Sequence, residues 1–71
     1  MYYKRIKELR EDNDRLQKEL AHILGITQAQ YSNIEKGVSD ITGEKIIKLS
    51  SIYKVSADYI LGLSDIKEKA R

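Results

Sequence analysis

Residues 17–36, QKELAHILGITQAQYSNIEK, decide how the rest of the chain is read. Leu20, Ala21 and Leu24 recur at three- and four-residue steps, the spacing that puts side chains on one face of a helix. Gly25 and Ile26 interrupt that pattern, and Thr27 opens a second one whose apolar positions are Tyr31 and Ile34. The stretch therefore predicts two short helices joined at a sharp glycine corner. Gly25 stops the first by taking up a left-handed conformation. Thr27 caps the second, and Thr27-x-x-Gln30 fits a capping box in which Gln30 reaches back to the backbone of the cap. Gly37 closes that helix after Lys36.

On the N-terminal side, residues 2–12 predict an amphipathic helix with Tyr2 or Tyr3, Ile6 and Leu9 inward and Lys4, Arg5, Lys7 and Glu8 outward. Glu11-Asp12-Asn13-Asp14 ends it, because short polar side chains compete for their own backbone groups. Asp14 is the expected N-cap of the next helix, which then starts at about Arg15. Asp12 and Asp14 do not make a calcium loop, since Gln17 stands where that loop needs glycine. On the C-terminal side, Thr42 caps a helix running to about Tyr53 or Lys54, with Ile46, Leu49, Ser50 and Tyr53 as its inward stripe. Ser56 caps a short helix from Ala57 to about Leu61, Asp58 sits near its positive end, and Gly62 stops it. Residues 64–71 have weak periodicity and are expected to fray from an ordered core of about 2–63.

Seventy-one residues make one small domain with room for a single core and no large catalytic cleft. The chain has neither cysteine nor proline, so no disulfide or thiolate metal site braces it. Its apolar runs are too short to span a bilayer, and MYYKRIKELR lacks the apolar block of a signal peptide, which leads to the expectation of a cytoplasmic protein. The net charge of +2 is spread evenly: residues 1–36 carry seven Lys/Arg against six Asp/Glu, and residues 37–71 carry six against five. Attraction to nucleic acid must then come from a local face. No nucleophile–base pair, metal cluster or phosphate-cradling glycine loop supports an enzyme, and no cofactor or small-molecule site is expected. His22 has no ligand-spaced partner and reads as a structural histidine. Glu8, Glu11, Asp12 and Asp14 read as a solvated face.

With Leu20, Ala21, Leu24, Gly25, Ile26, Tyr31 and Ile34 in this order, the chain resembles the Cro/repressor-type helix-turn-helix family, also called the xenobiotic-response-element family, over about residues 2–65. The stretch Tyr53-Lys-Val55-Ser56-Ala57-Asp58-Tyr59-Ile60-Leu61-Gly62 is similar to the family's closing segment. The resemblance implies an all-α, compact five-helix fold of the lambda-repressor type. It also implies an ion pair between Arg10 and Glu35, both of which flank core positions. Two departures stand out. Arg15-Leu16 replaces the family's usual apolar residue followed by a hydroxyl cap, so that either the second helix starts earlier or Leu16 turns inward. Val38-Ser39-Asp40 offers no positive charge where the family often places one.

Function then follows from the third helix. Tyr31 and Ile34 define its buried side, so Gln28, Ala29, Ser32, Asn33 and Lys36 fan across the other. Gln and Asn each present a donor and an acceptor on one planar head, which matches the N6/N7 edge of adenine in the major groove; Ala29 and the Thr27 methyl suit thymine methyls. Lys36, Gln17 and the first amides of the second helix would hold phosphates. Gln30 is a further candidate contact, although the capping box already explains it. Tyr31 is expected in the core with its hydroxyl at the rim. The expectation is a sequence-specific double-stranded DNA-binding regulator, repressor-like, acting as a homodimer on a palindromic operator. Tyr59, Leu61, Leu63 and Ile66 are the interface candidates. The alternative is an antitoxin-like or partner-binding adaptor that uses the same fold for protein–protein interaction.

Overall fold

The computed structural model describes residues 2–68, and among these the chain folds into five helices: α1 Lys4–Asp12, α2 Gln17–Leu24, α3 Gln28–Lys36, α4 Gly43–Tyr53 and α5 Ala57–Leu61. The helices end where local chemistry makes them end. After α2, Gly25 takes φ 71°, its N–H bonds to the His22 carbonyl, and the Ile26 N–H bonds to the Ala21 carbonyl. This crossed pair satisfies carbonyls the helix would otherwise leave open and turns the chain sharply. Thr27 then caps α3: its Oγ1 accepts from the Gln30 N–H at 3.1 Å, and the Gln30 Oε1 accepts from the Thr27 N–H at 2.9 Å. Thr42 and Ser56 cap α4 and α5 one-sidedly, accepting from the Lys45 and Tyr59 amides without a return bond to the cap.

Two starts differ from expectation. Helix α1 begins at Lys4, two residues late: Tyr3 is extended and stands as its N-cap without a side-chain cap hydrogen bond. Asp14 does not cap α2. It sits at φ 55° and terminates α1, its N–H bonding to Glu11 while the Arg15 N–H bonds to the Arg10 carbonyl at 3.0 Å. Asp tolerates the left-handed region better than most residues, and with Asp14 spent there the chain stays extended through Leu16. Helix α2 therefore starts at Gln17 with Leu16 as N-cap. Leu16 neither joins the helix nor turns inward; it is 54% exposed. Only half of a capping box forms, in which the Glu19 carboxylate accepts from the Leu16 N–H at 3.1 Å.

The core gathers Ile6 and Leu9 from α1, Leu20, Ala21 and Leu24 from α2, Tyr31 and Ile34 from α3, Leu49 from α4, and Val55 and Ile60 beyond it. Helices α2 and α3 pack most extensively on one another, and α1 reaches both α3 and α5, so it braces the pair against the C-terminal end. Tyr3, Ile26, Ile41, Tyr53 and Tyr59 close the edges. Ser50, on the inward stripe of α4, donates to the Val55 carbonyl at 2.6 Å and so carries its hydroxyl into the core satisfied. Among the described residues no helix is long and apolar enough to cross a membrane.

Residues 64–68 are tied back to the body of the domain. The Ser56 N–H donates to the Lys67 carbonyl at 2.7 Å and the Ser56 hydroxyl to the Ile66 carbonyl at 3.0 Å. Arg5 donates to the Tyr59 and Ser64 carbonyls and to Asp65, and its guanidinium lies 4.1 Å from the centre of the Tyr59 ring. The remainder of the stretch expected to fray, residues 69–71, lies outside the described residues.

Candidate nucleic-acid interface

Helix α3 is held by its buried side. Tyr31 and Ile34 sink into the core, and Glu35 beside them is only 4% exposed. A buried carboxylate is costly unless paired and hydrogen-bonded. Here Arg10 Nε donates to Glu35 Oε2 at 2.7 Å, a second Arg10 nitrogen donates to Oε1 at 3.2 Å, and the Gln17 side-chain amide donates to Oε1 at 3.1 Å. The third Arg10 nitrogen donates to the Arg15 carbonyl at 3.1 Å. One guanidinium thus ties the end of α1 to the extended entrance of α2 and to α3. Burial alone would raise the Glu35 carboxyl, but the bonds from Arg10 and Gln17 and the nearby Tyr31 phenol outweigh it and hold the group below the usual carboxylate range. The bond to Glu35 in turn raises Arg10.

Tyr31 departs from expectation: it is fully buried, and its hydroxyl reaches no rim. That hydroxyl and the one on Tyr53 lie buried without a well-formed hydrogen bond. Burial, with the Glu35 charge added, raises the Tyr31 phenol strongly, and burial pushes the Tyr53 phenol up to about 12. Both stay neutral and apolar in effect across the ordinary pH range.

The opposite side of α3 is open. Thr27, Gln28, Ala29, Gln30 and Lys36 are exposed, and Ser32 and Asn33 are half-buried along the same side. Four-residue steps align Gln28 with Ser32 and Ala29 with Asn33, giving two adjacent rows of short polar or small side chains along one helix face. The Gln30 carbonyl oxygen is committed to the cap, which leaves its NH2 group for any ligand. The Gln17 amide nitrogen is likewise turned to Glu35. Gln17 is the first residue of α2, so its backbone N–H is one of the amides a helix start leaves unpaired. At the far end, Gly37 takes φ 78° with Tyr2 packed against it, so closely that an added Cβ would come within 2.8 Å of the Tyr2 Cβ.

Gln17, Ser32 and Lys36 meet along the wall of one open groove between α1 and α3, whose other side is formed by Tyr2, Lys7 and Glu11 over the Arg10–Glu35 pair. Lys7 belongs to this arrangement although the outward side of α1 reads, from sequence, as ordinary solvated surface. Its signal is the helical step from the core positions Ile6 and Leu9 to the Arg10 side, which points it toward α3 only once the α1–α3 packing is known. The interface candidates at the other end are mixed. Leu63 and Ile66 are 75% and 68% exposed, Leu61 is half-buried, and the Tyr59 ring is covered by Arg5, with Lys67 5.6 Å from its centre. His22 is exposed on α2.

Comparison with known proteins agrees with this geometry. Residues 6–60 match the model of a helix-turn-helix family. The HTH-type transcriptional regulator ImmR of Bacillus subtilis is 39% identical over 66 residues, covering 93% of this chain and 52% of that protein. The uncharacterized HTH-type transcriptional regulator YobD of the same organism is 35% identical over 65 residues, covering 92% of this chain and 58% of that protein. The chain thus spans a little over half the length of these relatives. Among solved structures, the P22 c2 repressor in complex with a synthetic operator superposes with a TM-score of 0.73 at 28% identity, covering 82% of this chain and 88% of that one.

Proposed function

We propose that this chain, which belongs to the Cro/repressor-type helix-turn-helix family, is a sequence-specific reader of double-stranded DNA that acts in transcription regulation and inserts α3 into the major groove. The observation that carries this is the division of α3 into a side locked by Tyr31, Ile34 and the Arg10–Glu35 pair and an outer side of Gln28, Ala29, Ser32 and Asn33. A reading helix needs both, because bidentate amide contacts to a base edge discriminate only if the helix cannot roll. The likeness to a repressor solved in complex with a synthetic operator supports the DNA-binding part of this reading. Gln28 and Asn33 supply the amide heads, while Ala29 and the Thr27 methyl supply apolar contact. Ser32 adds a hydroxyl, and the Gln30 NH2 group serves as a peripheral donor. Lys36 and the first amides of α2, beginning at Gln17, hold phosphates and set register without reading sequence.

One such helix covers few base pairs, so the same reading includes a homodimer on a palindromic operator. Its contact is centred on Leu63 and Ile66, with Leu61 and the edge of Tyr59 beside them; the exposure of the first two supports this. The site of action is the cytoplasm. Selection from random duplexes, followed by salt titration of the winner, tests the function: the log–log slope of affinity on salt is about −0.9 per phosphate neutralised. Absence of a preferred, salt-sensitive duplex would leave the adaptor reading instead. A concentration-independent monomer on palindromic DNA would remove the dimer.

A further inference from the structure

We infer that Lys7, on α1, is a second cation of the phosphate grip, and that the open groove between α1 and α3 seats a stretch of nucleic-acid phosphodiester backbone. The inference rests on the DNA-reading role of α3 and extends it to a helix outside the helix-turn-helix pair. Three features carry it. The groove brings Lys7 to the same space as Gln17, Ser32 and Lys36, which lie at the start of α2 and along the reading side of α3. A backbone strand flanking an inserted α3 runs beside that helix, and the groove is the channel open to it there. Second, among the described residues neither Lys7 nor Lys36 has a salt-bridge partner, whereas Arg10 on the groove floor is neutralised by Glu35. Third, the loop that follows α3, Val38-Ser39-Asp40, brings no lysine or arginine to that end of the helix, whereas Lys7 and Lys36 both line the groove.

Glu11 stands one helical turn from Lys7 and lines the same groove. Its carboxylate opposes a phosphate there and sets a ceiling on nonspecific affinity. The two residues therefore act with opposite sign: Lys7 attracts the strand and Glu11 weakens its hold. Neither reads a base, so both act alike on preferred and scrambled duplexes.

The test is the salt dependence of binding to the duplex chosen by random selection, for the parent chain, Lys7→Gln, Glu11→Gln and Lys48→Gln. Lys48 is an exposed lysine of α4 that does not line the groove. Lys7→Gln is expected to weaken binding on all duplexes in equal proportion and to reduce the steepness of the salt slope by about 0.9. Glu11→Gln is expected to tighten binding at low salt, and Lys48→Gln to leave the slope alone. A Lys7→Gln slope equal to the parent's overturns the inference while leaving the reading role of α3 intact. So does a Lys7→Gln change in which bases are preferred. A parent chain that shows no salt-sensitive binding removes both.

Discussion

Glu35 is the residue with most at stake. It is buried and charged, and three donors from two other segments of chain keep it so. Such a pair fixes orientation more than it stabilises, since desolvation offsets much of the attraction, yet removing one partner strands the other. Arg10→Met is therefore expected to cost about 3–5 kcal/mol in urea denaturation, the range for breaking a buried pair. The pH dependence has a definite sign. The folded-state carboxyl lies below its ordinary 4.5, so the unfolded chain binds that proton more tightly. The stabilisation is complete above the unfolded value and is lost as pH falls through the lower, folded value. Glu35→Gln should flatten this acid limb in melts taken from pH 6 downward; an unchanged limb would mean that other carboxylates set it. The resemblance implied the Arg10–Glu35 contact, but the sequence held no sign that Gln17 would join it. That bond spans two helices whose relative placement depends on where α2 begins.

At the scale of the elements, most boundaries were legible because they are set within four residues. The left-handed stops at Gly25 and Gly37 and the caps at Thr27, Thr42 and Ser56 are such cases. The start of α2 differs from the sequence expectation for a reason of the same size. Asp14 suits either an N-cap or a left-handed terminator, and the structure uses it as the terminator of α1. Leu16 is left as a cap without an acceptor, in an extended conformation (φ −92°, ψ 151°) that suits a capping side chain. Leu16→Ser is expected to stabilise the fold by about 0.5–2 kcal/mol, the value of a good N-cap, measurable by urea denaturation. The two glycine corners make a matched pair. Gly25→Ala meets open space and should cost about 1–2 kcal/mol for its left-handed backbone. Gly37→Ala adds a collision with Tyr2 to the same strain and should cost more. Equal losses would mean that residues 2 and 3 move aside freely.

Over the whole molecule, what the sequence concealed is long-range. Arg5 reads as one of several outward charges on α1, yet its guanidinium spans to carbonyls and a carboxylate more than fifty residues away and stacks on Tyr59. No periodicity reports such a contact. Lys7 was hidden in the same way, since its place beside α3 exists only after α1 and α3 have packed. The two ends of the domain thus divide the work. One end joins the exposed side of α3 to the groove of Lys7 and Lys36, and the other clasps residues 64–68 while Leu63 and Ile66 face outward. With a net charge of only +2, the proposed attraction to nucleic acid has to come from one groove and one helix face and not from the molecule as a whole.

The central claim, that α3 reads bases through Gln28 and its neighbours, is tested most directly by comparing the parent chain and Gln28→Ala on the selected duplex and on its single-base variants. Gln28 is exposed, so the substitution leaves the fold in place. The account predicts that Gln28→Ala loses about 1–3 kcal/mol of discrimination at one position of the duplex and keeps the parent's preference at the others. An equal loss on every duplex, or none on any, would contradict it.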